Sequence, residues 1–143
     1  GILIFFLYKR YITECWKSII YLVSTVVFAD QFSSSLLKPL FKRLRPCHVD
    51  EFQSWIHLPA GCGGQFGFCS SHAANSFAIA IGFYLLTKNK FAGLALVLWA
   101  SIISYSRIYL GAHYPLDVIV GALVGGIGAW GLFKAYERLI KKS

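Results

Sequence analysis

The chain has 143 residues, of which 57% are hydrophobic and 17% aromatic, with a mean hydropathy of +0.59 and a formal net charge of +8. That length bounds it to one domain, residues 1–143, and the apolar excess excludes an ordinary soluble fold. An all-α, polytopic transmembrane bundle accommodates it, with membrane lipids rather than nucleic acid as the expected surroundings.

Taken in order, Ile2 to Tyr8 is apolar but too short to span, and Lys9-Arg10 follow it. It lacks an initiator Met, a basic leader and a small-residue cleavage site, so it reads as the end of a further span that begins earlier, not as a signal peptide. Four longer stretches approach the roughly 20 apolar residues a spanning helix needs: Trp16 to Leu37, Ser70 to Thr87, Phe91 to Tyr109 and Pro115 to Tyr136. The expectation is therefore four full spans plus a truncated N-terminal one.

If the four long spans alternate, Lys9, Arg10, Lys17, Lys88, Lys90, Lys134, Arg138, Lys141 and Lys142 share one side and Lys38, Lys42, Arg43, Arg45 and Arg107 the other. Cytoplasmic loops accumulate Lys and Arg, so the first group marks the cytoplasm and the second faces away from it. The same alternation brings three polar segments to the extracytoplasmic face: Lys38 to Pro46, Cys69 to His72 and Ser106 to Asp117.

Residues 38–69 form the one long loop, with Gly61, Gly63, Gly64 and Gly67, and loops of that length tend to be lids or binding elements. Cys47 and Cys62 flank it in an oxidising compartment, and a disulfide pinning the loop is expected. Zinc held by Cys47, His48, His57 and Cys62 is the rival, disfavoured because closely paired ligands are lacking. Cys15 and Cys69 are expected to be unpaired.

The polar segments carry phosphate chemistry. Lys38, Arg45 and Arg107 supply the fork and point charges that grip nonbridging oxygens, although for any one of them alone a snorkelling interfacial anchor is the default reading. Lys42 and Arg43 are read as such interfacial residues. Ser70 sits at the start of the Ser70–Thr87 span, in a position to cap it, so that the Ser70 and Ser71 amides point toward an anion, although capping without a ligand is common. His72, on that first turn, could protonate a leaving oxygen. His113 and Asp117 lie four apart, with Pro115 opening the last helix; the carboxylate could orient one ring nitrogen and free the other to attack phosphorus, or merely cap the helix. Asp30, two turns before Lys38 within its span, is read as a buried hydrogen-bonding or supporting group, with Asn75 and Ser76 as candidate partners. Gly121 and Gly125 form a G-x3-G read as close helix packing.

Lys38 to Pro46 has the form K-x6-R-P, Ser106 to Asp117 the form S-R-x5-H-x3-D, and Ser70-Ser71-His72 stands between them. This set, in this order, resembles the type 2 phosphatidic acid phosphatase family over Lys38 to Asp117. The resemblance implies a metal-independent, cofactor-free phosphatase acting on a lipid phosphate through a phosphohistidine. His113 would be the nucleophile, Asp117 its orienting partner and His72 the acid, while Lys38, Arg45, Ser70, Ser71 and Arg107 hold the phosphoryl group. The family's middle motif is P-S-G-H; here Cys69 replaces Pro and Ser71 replaces Gly. The family usually has six spans, so an N-terminal portion is expected to be missing. The implied substrate is an isoprenyl diphosphate, phosphatidylglycerophosphate, phosphatidic acid or a lipid A phosphate, cleaved at the extracytoplasmic face of the inner membrane. The same motifs resemble vanadium-dependent haloperoxidases, which are typically soluble, and a non-catalytic lipid-phosphate binder or transporter could use the same cations.

Overall fold

The computed structural model describes residues 2–54, 56 and 61–142, with 2–14, 53, 141 and 142 by backbone alone. It is built from helices: α1 (Ile2–Gln31), a π-helical turn (Phe32–Leu37), α2 (Lys38–Phe41), a 3-10 turn (Pro46–His48), α3 (Asp50–Gln53), α4 (Ser71–Thr87), α5 (Lys90–Tyr109) and α6 (Pro115–Lys142). The all-α class is as the sequence implied. One detail differs: Ile2 to Tyr8 is not a separate element but the first part of α1, which runs unbroken past Lys9-Arg10. Charged residues end a hydrophobic span without ending the helix that carries it.

Helix α4 is the centre of the bundle, in contact with α1, α5 and α6. Its buried residues are small, Ala73, Ala74, Ser76, Ala78, Ala80 and Gly82, so neighbouring backbones approach closely. Helices α1 and α6 each turn a stripe inward at four-residue spacing: Tyr21, Thr25 and Ala29 on the first, continued by Ser33 in the π-helical turn, and Asp117, Gly121, Gly125, Ala129 and Phe133 on the second. A Cβ at Gly121 would stand 2.5 Å from the carbonyl oxygen of Ser70, so the G-x3-G does mediate backbone contact with α4.

The outward faces are apolar. Phe91, Leu98, Ile102, Ile119, Leu123, Ile127 and Trp130 are all more than half exposed, the reverse of a soluble fold. Among the described residues, three helices are long and apolar enough to cross a membrane: Cys15–Phe41, Lys90–Tyr109 and Pro115–Ile140. The 17-residue α4 is shorter and is largely enclosed by the other three. The end of the α1 unit, the start of α4, the end of α5 and the start of α6 meet at one end of the bundle, where Lys38 touches Ser71 and Ser70 touches Asp117.

Candidate functional site

Each site residue is placed by a helix end. Ser70 is the N-cap of α4: its hydroxyl accepts from Ala73 N (3.4 Å) and its carbonyl from Ala74 N (3.0 Å). Ser70 N in turn donates to the carbonyl of Asp117 (3.0 Å), which welds the start of α4 to the start of α6. The amides of Ser71 and His72 belong to the first turn, whose N–H groups have no partner within a helix and face outward with the positive end of the dipole.

Lys38 follows the π-helical turn, and its Nζ donates to the Ser71 hydroxyl (2.8 Å). Ser33, fully buried, contacts the same hydroxyl (2.9 Å) and the Asp30 carbonyl (3.0 Å). The residue standing where the family carries Gly therefore seats the first cation of the site. Ser33 was missed by sequence reasoning; its signal was the Ser33-Ser34-Ser35 run inside an apolar span.

Past Lys42, whose left-handed conformation (φ 46°) ends α2, the chain turns back over the site. Residues 43–45 pair with 65–67: Gly67 N donates to Arg43 O (2.8 Å) and Arg45 N to Gln65 O (3.2 Å), while Arg45 Nε reaches Phe66 O (3.3 Å). Gly67 permits this, because a Cβ there would lie 3.0 Å from Arg45 Cγ and 3.5 Å from Asp117 Oδ2. Cys47 and Cys62 face each other across the loop as a disulfide pair, Cα atoms 6.0 Å apart, and Cys47 N donates to Gly111 O (3.2 Å). His57, from the zinc alternative, lies outside the described residues.

Helix α5 ends beyond Arg107, whose Nε donates to Ser106 Oγ (3.3 Å). A turn at Gly111 (φ +64°) curls the chain so that Ala112 N and His113 N both donate to the Arg107 carbonyl. His113 is 3% exposed. Burial first, then the charges of Arg45 and Lys38, push its pKa down from 6.5 to about 3, against a weaker opposing backbone contact with Gly67. The ring is thus neutral at any physiological pH, with a lone pair available. Burial likewise raises the thiol pKa of the enclosed Cys69, which keeps it protonated.

Asp117 is fully buried and heavily engaged. Its Oδ2 accepts from Tyr114 N (2.8 Å), the cap of α6, and its Oδ1 from Arg43 Nη2. Its distance to His113 Nδ1 is 3.6 Å, beyond a hydrogen bond, and that nitrogen has no partner among the described residues. The two readings of Asp117 are therefore not exclusive: it caps the helix while lying beside the imidazole. Arg43 corrects the sequence reading, since it is an ion-pair partner of Asp117 and not a loose interfacial cation. Its guanidinium also stacks at 4.9 Å from the Phe68 ring and 5.1 Å from the Tyr114 ring.

Lys38, Arg45, Ser70, Ser71, His72, Arg107, His113 and Asp117 therefore converge at one end of the bundle. His72 is exposed, in contrast to His113. Arg45 feels the charge of Arg107, and burial with that repulsion makes its cationic form costlier. Such a cluster can receive a phosphoryl group between a neutral nucleophilic imidazole and a second, accessible imidazole. Asp30 accepts from Asn75 Nδ2 (3.1 Å), while Ser76 donates to backbone carbonyls of its own helix and takes no part in that pair.

A sequence model of the PAP2 superfamily matches residues 17–141. The chain is 44% identical over 121 residues, 80% of its length, to a lipid A 4'-phosphatase of Bacteroides thetaiotaomicron, of which it covers 54%. It is 34% identical over 135 residues, 94% of its length, to a lipid A 4'-phosphatase of Porphyromonas gingivalis, of which it covers 57%. It thus spans about half the length of these relatives. It is 30% identical over 131 residues to a putative undecaprenyl-diphosphatase of Escherichia coli, covering 86% of this chain and 64% of that one. The crystal structure of Aquifex aeolicus LpxE superposes with a TM-score of 0.66 at 28% identity, covering 94% of this chain and 78% of that chain.

Proposed function

The chain belongs to the PAP2 superfamily, and from that premise we propose that it is an integral membrane lipid phosphatase with a histidine nucleophile. The observation that carries this reading is the buried His113 beside Arg45 and Lys38, cations whose side-chain hydrogen bonds among the described residues go to neutral oxygens.

In the proposed reaction the free ring nitrogen of His113 attacks phosphorus, forming a P–N bond as the P–O bond to the lipid breaks. His72 gives its proton to the departing oxygen, then takes one from water, whose oxygen displaces His113 and releases phosphate. Lys38, Arg45, Arg107, the Ser70 and Ser71 hydroxyls and the first-turn amides of α4 stabilise charge on the nonbridging oxygens. Asp117, already held by Arg43, positions the imidazole, since catalytic hydrogen bonds often tighten only once substrate binds. No step needs a metal.

The names of the relatives favour a lipid A phosphate or an isoprenyl diphosphate over phosphatidylglycerophosphate or phosphatidic acid. The Lys/Arg distribution supports a site on the extracytoplasmic side of the inner membrane, within reach of a head group whose tail stays in the bilayer. The Cys47–Cys62 bridge would pin the overlying loop, and reduction followed by mass measurement tests it. The central test is phosphate release from a panel of lipid phosphates in detergent with chelator. Turnover by wild type, and none above background by His113→Ala, is expected; chelator-sensitive release or an active His113→Ala would refute the mechanism.

A further inference from the structure

A cavity of about 260 Å³ opens beside His72, lined by Asp30, Ser71, His72, Asn75, Ile79, Trp99 and neighbours on the same helices. Helices α1 and α5 both pack on α4 but make no close backbone approach to each other among the described residues, so the cavity lies between them and is backed by α4. Its walls are apolar, from Ile79, Trp99 and Ile103, but its polar end is the Asp30–Asn75 pair, with Asn75 one helical turn from Ser71. Nothing in the phosphate chemistry above uses that pair.

A carboxylate within a membrane span is costly. Asn75 Nδ2, at 3.1 Å, is the one hydrogen-bond donor that meets the Asp30 side chain among the described residues. A carboxylate has room for about four hydrogen bonds, so it is an acceptor in want of donors. Its position defines where those donors come from. His72 delivers its proton to the leaving oxygen, so the alcohol half of the substrate must lie on the His72 side, which is this cavity.

We propose that Asp30 and Asn75 are specificity-determining residues that accept hydrogen bonds from a hydroxyl or amide N–H on the leaving alcohol, close to the ester oxygen. The substrate class is then a lipid phosphate whose alcohol carries such a group, as a phosphorylated, N-acylated amino sugar does, and not a plain hydrocarbon chain. This rests on the phosphatase reading above.

The test is kcat/KM in dodecyl maltoside micelles for two probes, an N,O-diacylated glucosamine 4-phosphate and farnesyl phosphate, with wild type, Asp30→Asn and Asn75→Ala. Wild type favours the amino-sugar phosphate, and each variant lowers the ratio of the two values about tenfold, the size expected for a lost hydrogen bond to a charged group. Asp30→Asn keeps the side-chain shape, so the ratio can be read even where Asn75→Ala does not fold. An unmoved ratio overturns the proposal, including the case in which both lipids slow alike because Asp30 acts through His72. Wild-type preference for farnesyl phosphate overturns it too. Release from neither lipid would instead defeat the phosphatase reading on which it stands.

Discussion

At the end of the bundle where α4 and α6 begin, Lys38, Arg45 and Arg107 lean on a serine hydroxyl, a carbonyl and another hydroxyl. At the opposite end, Lys88 stands 4.6 Å from the Phe133 ring centre and Lys134 lies 3.5 Å from Glu137. There Tyr21 donates to the Ala129 carbonyl (2.9 Å) and packs edge-on against Phe133, so polar groups close on themselves. The contrast teaches that cations kept together while the nearby carboxylates are committed to other partners are an unfinished electrostatic arrangement. Arg45 and Arg107 repel, and the carboxylates near them are engaged elsewhere: Asp117 with Arg43 and its own helix cap, Asp30 with Asn75. Under the proposed function, a bound phosphate would complete that end.

The sharpest way to break this comparison is at the imidazoles. His113→Ala should lower phosphate release by roughly a thousandfold or more, because in the proposed mechanism no other group forms the P–N bond. His72→Ala should cost about 10²- to 10⁴-fold, with a substrate bearing a good leaving group partly rescued. Next, Arg45→Ala is expected to reduce kcat/KM about a hundredfold, whereas Lys88→Ala at the far end changes it by less than about twofold. Comparable losses from both would dissolve the distinction between the ends.

Stability effects are smaller. Arg43→Ala leaves Asp117 buried beside no cation of its own, and a loss of about 2 kcal/mol is expected, short of a fully enclosed pair because the Arg43 side chain is 35% exposed. Chemical denaturation in micelles measures it. Gly121→Ala should cost about 1–3 kcal/mol by forcing a methyl group against the Ser70 carbonyl. Gly131→Ala, with nothing within 4 Å of its added carbon, should be neutral or stabilising by up to about 1 kcal/mol. The least effect near neutrality is that of pH. Folded His113 titrates at about 3 against 6.5 in the unfolded chain, so the unfolded chain takes up the extra proton between those values. Stability should be unaffected by this group above pH 6.5 and should fall as pH drops from there toward 3. Thermal unfolding of wild type beside His113→Gln, whose acid sensitivity should be weaker, checks the sign.

Much of the site was legible because its residue types are out of place in an apolar chain. Lys38, His72, Arg107 and His113 had no reason to be there as packing, and alternating spans sufficed to bring their segments together. Arg43 was not legible, because a cation at a membrane interface is ordinarily a snorkelling group and its partner is 74 residues away in sequence. Gly67 was equally hidden, since only the returning loop reveals that a side chain there would meet Arg45. The division of the N-terminal region failed for a different reason: hydropathy reports a break in the apolar run at Lys9-Arg10, and α1 is one helix on both sides of it. The Asp30 pairing was half legible. Asn75 faces across to α1, but Ser76, one residue on, is turned about 100° away and bonds to its own helix.

The π-helical turn at Phe32–Leu37 acts as a phase shifter. Ser33 and Lys38 are five residues apart, a spacing that on an α-helix would point them about 140° from each other, yet both arrive at one hydroxyl because the wider turn closes on an i→i+5 bond, Lys38 N to Ser33 O, and brings them nearer one face. Shortening this stretch by a single residue would leave a sound helix, with the ammonium swung out among lipid tails.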